Sequence, residues 1–381
     1  MRRVLVISHT YVQPAHRGKL RALAARGLDV TVGVPQRWRE PALGEQIESA
    51  WERQSGLEVF PIPAKGGDDL EKARFGRRAL GALLRDKRPD LIQVEEEPTS
   101  AAARQVIAAA RSLSIPVVLF TRQNVDPRLP LFERWGRRRT LRRLKGLVAG
   151  SEAGAELVRR EVATLPVAVI PQLGAAVPPD PLHGPHEGLA IGCVGRLVPR
   201  KGLDNLLQAL ARNRGTAWHL TIVGNGPERE RLEKLASELR LAARIRWMGG
   251  LPAEQLTRLW IDLDVLVQPS RSLRDWQEPN AHVLVEAMAH EVAVLGTASG
   301  VIPETVGDAG VIVPAGDVAA LAAELVRLAD DGVRKPLAAA GRARALRLYS
   351  DDAVAERTLS FWRDLLEGRQ PSAVSAQQAD S

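Results

Sequence analysis

Two doubly wound α/β domains facing each other across a cleft are what this sequence predicts, on three observations. Short β-branched runs alternate with helically spaced segments along most of the chain, which is the pattern of parallel strands covered by helices on both faces. The alternation breaks once, at Ala176-Val177-Pro178-Pro179-Asp180-Pro181-Leu182-His183-Gly184-Pro185-His186-Glu187-Gly188, where proline and glycine crowd together without an apolar period and mark a linker. It then restarts, in a chain whose 381 residues exceed what one hydrophobic core usually supports. The expected divisions are a first domain over 1–176, a linker over 177–188, a second domain over 189–348, an amphipathic helix over 349–367 and a flexible tail over 368–381. Two facing domains leave a deep crevice at the linker, a default place for a ligand.

In the first half, strands are expected at 4–8, 29–34, 91–94, 117–120 and 146–149, with helices at 19–26, 69–87 and 100–112 between them. In a sheet of this kind the ligand sits beyond the carboxyl ends of the strands. His9, Thr10, Glu95, Glu96, Glu97, Arg122, Gln123 and Asn124 all follow expected strands and are the candidates there. His9 is either a satisfied polar residue at a strand end or a catalytic base. Three consecutive glutamates cannot all point one way, so at least one is expected to be plain surface. Arg122-Gln123-Asn124 is either a turn leading into Asp126-Pro127 or part of acceptor recognition.

In the second half, strands are expected at 189–194, 220–223, 245–248, 263–267, 293–295 and 311–313, and helices at 203–212, 228–240, 253–261 and 281–290. Helical spacing continues over 318–328, 335–348 and 352–366. Gly195-Arg196-Leu197-Val198-Pro199-Arg200-Lys201-Gly202 follows the first of these strands. Its glycines permit a turn, and Arg196 and Lys201 supply a forked and a point cation suited to a diphosphate. Val223-Gly224-Asn225-Gly226-Pro227 is a second glycine-rich turn on the same edge. The fourth strand ends at Pro269-Ser270, after which Glu278-Pro279-Asn280-Ala281-His282 opens a helix bearing Glu286. Asn280 is a good N-cap, and the helix mouth with its free N–H groups suits a phosphate. Two carboxylates flank that mouth, although either could be a solvated surface group.

Taken in order and spacing, Gly195-Arg196, Lys201-Gly202, Val223-Gly224-Asn225-Gly226-Pro227, Glu278 with Glu286-Ala287-Met288-Ala289, and Ser299-Gly300-Val301-Ile302-Pro303-Glu304 resemble family 4 of the retaining glycosyltransferases. The first half resembles them more loosely, through its strand pattern and Phe120-Thr121-Arg122-Gln123-Asn124. The resemblance implies two Rossmann-like domains in the GT-B fold, with the 349–367 helix crossing back to the first. It also implies metal-independent sugar transfer with retention, from a nucleotide sugar held by the second domain to an acceptor held mainly by the first.

By that resemblance Arg196 and Lys201 hold the donor pyrophosphate, and preorganised cations of this kind stabilise charge as it develops on the leaving group. Glu278 contacts the transferred sugar, Glu286 binds the ribose, and the N–H groups of Asn280, Ala281 and His282 meet the phosphate beside the turns at Gly195 and Gly224. His9, Gln123 and Asn124 are the acceptor-side candidates. No cofactor is implied, a UDP- or GDP-sugar being a substrate. The acceptor class is a glycan, a lipid-linked sugar or a small molecule, in the setting of cell-surface polysaccharide or glycolipid synthesis. Relatives often have glycine after the first Glu, where this chain has Pro279-Asn280-Ala281. The alternative is therefore an inactive GT-B protein that binds a sugar nucleotide or a partner.

Cys193 is the single cysteine, and no stretch approaches about 20 uninterrupted apolar residues. A cytoplasmic protein is expected. Its net charge of +8 favours anionic partners. Residues 131–145 combine seven cations with Leu, Phe and Trp. Such a helix either contacts an anionic membrane surface from the inner face or packs into the core with a solvated basic face. Base-stacking aromatics are scarce, so nucleic acid is not an expected partner.

Overall fold

The computed structural model describes residues 1–39, 46–66, 72–181, 183–184 and 186–369. Residues 370–381 of the expected tail and Leu182 and Pro185 of the expected linker lie outside that set. The chain divides into two compact units: described residues up to Gly174 together with those from Asp351 onward, and Ala175–Ser350.

The first unit is built on one eight-stranded sheet. Its strands run in the order Val167–Val169, Gly146–Ala149, Val117–Thr121, Leu91–Val94, Arg3–Ile7, Asp29–Pro35, Leu57–Ile62, Glu52–Gln54. All neighbours are parallel except the last pair. Central strands such as Leu91–Val94 are buried on both faces, which explains why apolar residues dominate them. The five expected strands are present, and Leu57–Ile62 and Val167–Val169 join them. Glu58 and Pro61 hid the first of these. Pro61 is tolerated because the antiparallel partner pairs only as far as Val59, so its missing N–H falls beyond that ladder.

The helix expected over 69–87 is Arg77–Lys87, preceded by a short strand Arg74–Phe75; residues 69–71 of that expectation lie outside the described set. A helix Glu152–Glu161 was not anticipated; it starts where the Ser151 hydroxyl accepts the Gly154 N–H at 3.2 Å.

The last helix, Asp351–Glu367, belongs to this unit and buries Val354, Leu359, Phe361, Trp362 and Leu365 in one cluster with Val4, Leu20 and Val30. Trp362 donates its indole N–H to Gln93 at 2.8 Å. At the start of that helix, burial pushes the Asp351 carboxyl up to about 6.

The second unit is a six-stranded parallel sheet, in the order Ile245–Met248, Trp218–Val223, Leu189–Val194, Val265–Gln268, Ala293–Thr297, Val311–Val313. Each strand expected in this half is present. The helix expected from 335 begins earlier, as Asp331–Arg344, because the Asp330 side chain caps it by accepting the Gly332 N–H at 2.8 Å and Pro336 is carried inside it. A π-helical turn Ala345–Tyr349 follows.

Candidate functional site

In the second unit the strand order reverses between Leu189–Val194 and Val265–Gln268, and the loops leaving the carboxyl ends of these two strands flank that switch point. The loops press together backbone to backbone. Gly202 has φ +68°, and a Cβ there would stand 2.1 Å from the Pro269 carbonyl oxygen, so only glycine closes the contact. The Arg271 N–H donates to the Arg200 carbonyl at 2.9 Å across the same junction. Gly224 has φ +137° and presses on the Gly195 carbonyl, where a Cβ would come within 1.9 Å. Gly195 and Gly224 thus shape the edge and leave the cations of the first loop to project from it.

Lys201 and Glu278 come together at this edge. The Lys201 ammonium lies 2.7 Å from Glu278 Oε2, and the buried Ser270 hydroxyl donates to the same oxygen at 2.6 Å. Glu278 is 2% exposed, so neither expectation of a solvated carboxylate nor a free lysine describes this pair. Its backbone is fixed as well: the Glu278 N–H donates to Ser299 Oγ at 3.2 Å, and the Glu278 carbonyl accepts from Val301 N–H at 3.0 Å. Ser299 in turn donates to the Arg271 carbonyl at 2.7 Å, and Thr297 donates to the Ser270 carbonyl. Ser270 and Ser299 were missed as site residues. The signal for them was present in Pro269-Ser270 closing a strand and in Ser299-Gly300 beginning a motif.

Arg196 does not share this ion pair. It is exposed, and among the described residues no carboxylate lies within ion-pair distance of it. Arg200 stacks its guanidinium over Trp276, 4.9 Å from the ring centre.

The helix after Glu278 is His282–Ala289, capped by Ala281 rather than by Asn280. Asn280 instead makes an Asx turn, its side-chain oxygen accepting the His282 N–H at 2.9 Å. This corrects the expectation that the His282 N–H is free for a phosphate. Burial pushes the His282 imidazole down to about 4, so at neutral pH it is uncharged and its 3.6 Å approach to Glu286 is not an ion pair. Glu286 keeps 30% of its side chain exposed on the same helix face.

In the first unit the switch point lies between Arg3–Ile7 and Leu91–Val94, and His9 and the three glutamates follow these two strands. None of the glutamates is plain surface, contrary to the sequence reading, because the chain turns at once and each finds its own donors. Glu95 takes Lys19 at 2.7 Å, Tyr11 at 2.7 Å and Gln93 at 2.6 Å. Glu96 accepts from both the His9 backbone N–H, at 2.9 Å, and Nδ1, at 2.7 Å. Glu97 accepts from the Arg122 N–H at 2.9 Å and from the Thr121 hydroxyl.

Bonding through Nδ1 fixes the His9 ring and leaves Nε2 as the nitrogen not held by Glu96, and the ring lies 4.8 Å from that of Trp38. Gln123 is engaged by the buried Arg137, which donates to its amide oxygen. Asn124 is half-buried in the adjoining turn.

Comparison with known proteins adds the family. Residues 182–345 match the family described as glycosyl transferases group 1, and residues 12–172 match a glycosyl transferase 4-like domain. A GDP-mannose-dependent alpha-(1-6)-phosphatidylinositol monomannoside mannosyltransferase of Mycolicibacterium smegmatis is 38% identical over 43% of this chain and 45% of its own. The chain thus spans about half the length of several curated relatives that it matches. An MMP alpha-(1->4)-mannosyltransferase of Mycolicibacterium hassiacum is 31% identical over 80% of this chain and 75% of its own. Among solved structures, Anabaena HepE in complex with UDP-glucose superposes with a TM-score of 0.71 at 18% identity, covering 96% of this chain and all of that one. The two doubly wound units, the two family matches and the long alignment to a mannosyltransferase agree: the chain belongs to the group 1 glycosyl transferases and has the GT-B fold.

Proposed function

We propose that the protein transfers a sugar from a nucleotide sugar to an acceptor with retention at the anomeric carbon and without a metal ion. The observation that carries this reading is the Lys201–Glu278 pair at the switch point of the second unit, held by Ser270. In the unliganded protein the two charges neutralise each other. A donor diphosphate placed at this edge draws the ammonium toward its oxygens, with Arg196 as the second cation, and the carboxylate is then available to the hydroxyls of the sugar. Both cations act where negative charge grows as the sugar–phosphate bond breaks, so they stabilise the transition state more than the ground state. Glu286, on the next helix, takes the ribose hydroxyls. His9, its Nδ1 held by Glu96, orients the acceptor hydroxyl through Nε2.

A UDP- or GDP-sugar fits the reading, since one relative is named as GDP-mannose-dependent and one structural neighbour holds UDP-glucose. A lipid-linked or glycan acceptor fits as well, the first of these relatives acting on a phosphatidylinositol monomannoside by its name. For such an acceptor we propose that the protein works in the cytoplasm, in peripheral contact with an anionic membrane through 131–145.

The test is transfer from a panel of UDP- and GDP-sugars with a chelator present, the product's anomeric configuration being read by NMR. An α-linked product from an α-donor, formed at an undiminished rate in the chelator, is expected. An inverted product, or turnover that requires added metal, contradicts the proposal.

A further inference from the structure

We infer that the helix Leu131–Leu141 and its neighbour Glu152–Glu161 form a two-part lipid site: an arginine-lined pocket for the phosphate of an anionic phospholipid, rimmed by an apolar apron that enters the bilayer. The inference deepens the lipid-linked branch of the proposed function, and its test reads vesicle binding rather than turnover, so each can fail alone.

The apron is the first observation. Leu131, Phe132 and Trp135 are 84%, 73% and 64% exposed, while Arg137, Thr140 and Leu141 are the buried residues of the helix. The core-packing reading holds for the far end of the segment, where Leu141 and Leu144 join the core below a solvated basic face, but it does not account for the three exposed apolar side chains at the start. At positions 131, 132 and 135 the three side chains share the first turn and a quarter of the helix. Large apolar groups gathered at one exposed spot mark a contact surface.

The pocket is the second observation. A cavity of about 420 Å³ lies beside the apron, and Trp135 belongs to both. Arg134, Arg137, Arg138 and Arg160 line it, with Asp126 and Glu161 as its acids. Two of the arginines are already committed, Arg137 to Glu161 at 3.1 Å and Arg160 to Glu156 at 3.0 Å. Asp126 accepts the Arg128 N–H at 3.2 Å. Arg134 and Arg138 are exposed and, among the described residues, have no carboxylate within ion-pair distance. Two spare guanidiniums facing one cavity match the oxygens of a phosphate.

Charge complementarity selects the occupant. Arg139, whose guanidinium stacks 5.2 Å from the Trp135 ring centre, and Arg142, Arg143 and Lys145 are exposed on the same segment. Cations interleaved with Leu, Phe and Trp suit an interface that offers negative headgroups above acyl chains. Among the described residues no helix is long and apolar enough to cross a membrane, so attachment here is to the surface.

The full chain is sedimented with vesicles of phosphatidylcholine alone, and with vesicles carrying about a third phosphatidylglycerol, the anionic fraction that gives a surface potential. Binding to the anionic vesicles only is expected. Arg134→Gln with Arg138→Gln should weaken it roughly fivefold per arginine. Leu131→Ser, Phe132→Ser and Trp135→Ser together should lower it at least as much at low salt, where the charges still act. All five positions are exposed, so circular dichroism and nucleotide binding should stay unchanged. Equal binding to neutral vesicles, indifference to the apolar triple variant, or displacement by inorganic phosphate or a short nucleic acid duplex at concentrations that leave the headgroups in excess would overturn the inference.

Discussion

Lys201→Ala should lower the rate of donor cleavage by roughly a hundred- to a thousandfold, the usual loss when one preorganised charge-stabilising group is removed from a developing anion. The ammonium lies 2.7 Å from a carboxylate that is 2% exposed and that the Ser270 hydroxyl also reaches, so the variant also removes the counter-ion of the buried Glu278. Both effects fall on kcat/KM, and steady-state kinetics with a saturating acceptor reads them. A variant that merely raises KM at constant kcat would mean that Lys201 binds ground and transition states alike. Lys201→Arg should recover only part of the loss, because a planar fork does not replace a point charge at this distance from Glu278.

The second large effect is on stability, in the other unit. Lys19 and Glu95 form a buried pair, with side chains 2% and 0% exposed, and the ammonium also donates to the Gln172 carbonyl at 2.6 Å. Lys19→Ala leaves Glu95 as a buried charge without its counter-ion, a change that typically costs about 3–5 kcal/mol. Hydrogen exchange should show the loss in the strands Arg3–Ile7 and Leu91–Val94 and in the final helix, since Gln93 links Glu95 to Trp362. Exchange in the second unit should not change. Lys19→Met combined with Glu95→Gln should restore much of the protection, because a neutral pair has no charge to strand. Unaltered exchange in Lys19→Ala would show that the pair carries no net stability.

Much of this architecture was legible in the sequence, and the exceptions have identifiable causes. Strands buried on both faces, such as Leu91–Val94 and Leu189–Val194, are mostly apolar and announce themselves. Leu57–Ile62 did not, because a glutamate and a proline interrupt it, and both are accommodated by contacts far along the chain: Glu58 by Lys87 at 2.9 Å, Pro61 by the end of the edge ladder. The helix expected from 335 starts four residues earlier, at Asp331, because Asp330 caps it there.

At the candidate site the sequence identified which loops meet, since strand order and glycine placement constrain that. It did not reveal that Lys201 and Glu278 pair with each other, because residues 77 positions apart converge only through the register of the sheet, nor that Ser270 and Ser299 hold Glu278, because that depends on how the loops between the strands fold. The Asn280 side chain illustrates the reverse. It was read as a helix cap, yet by turning one residue earlier it occupies an N–H that the phosphate was expected to take.

The central claim is that the carboxyl edge of the second unit holds a nucleotide diphosphate. Calorimetric titration with UDP, GDP and ADP, repeated with Arg196→Ala and Glu286→Ala, tests it most directly. One nucleotide should bind, and both variants should weaken it, Arg196→Ala through the diphosphate and Glu286→Ala through the ribose, each by about tenfold for a charged hydrogen bond of some 1.5 kcal/mol. Binding that is unaffected by either substitution, or no binding of any of the three, would contradict the claim.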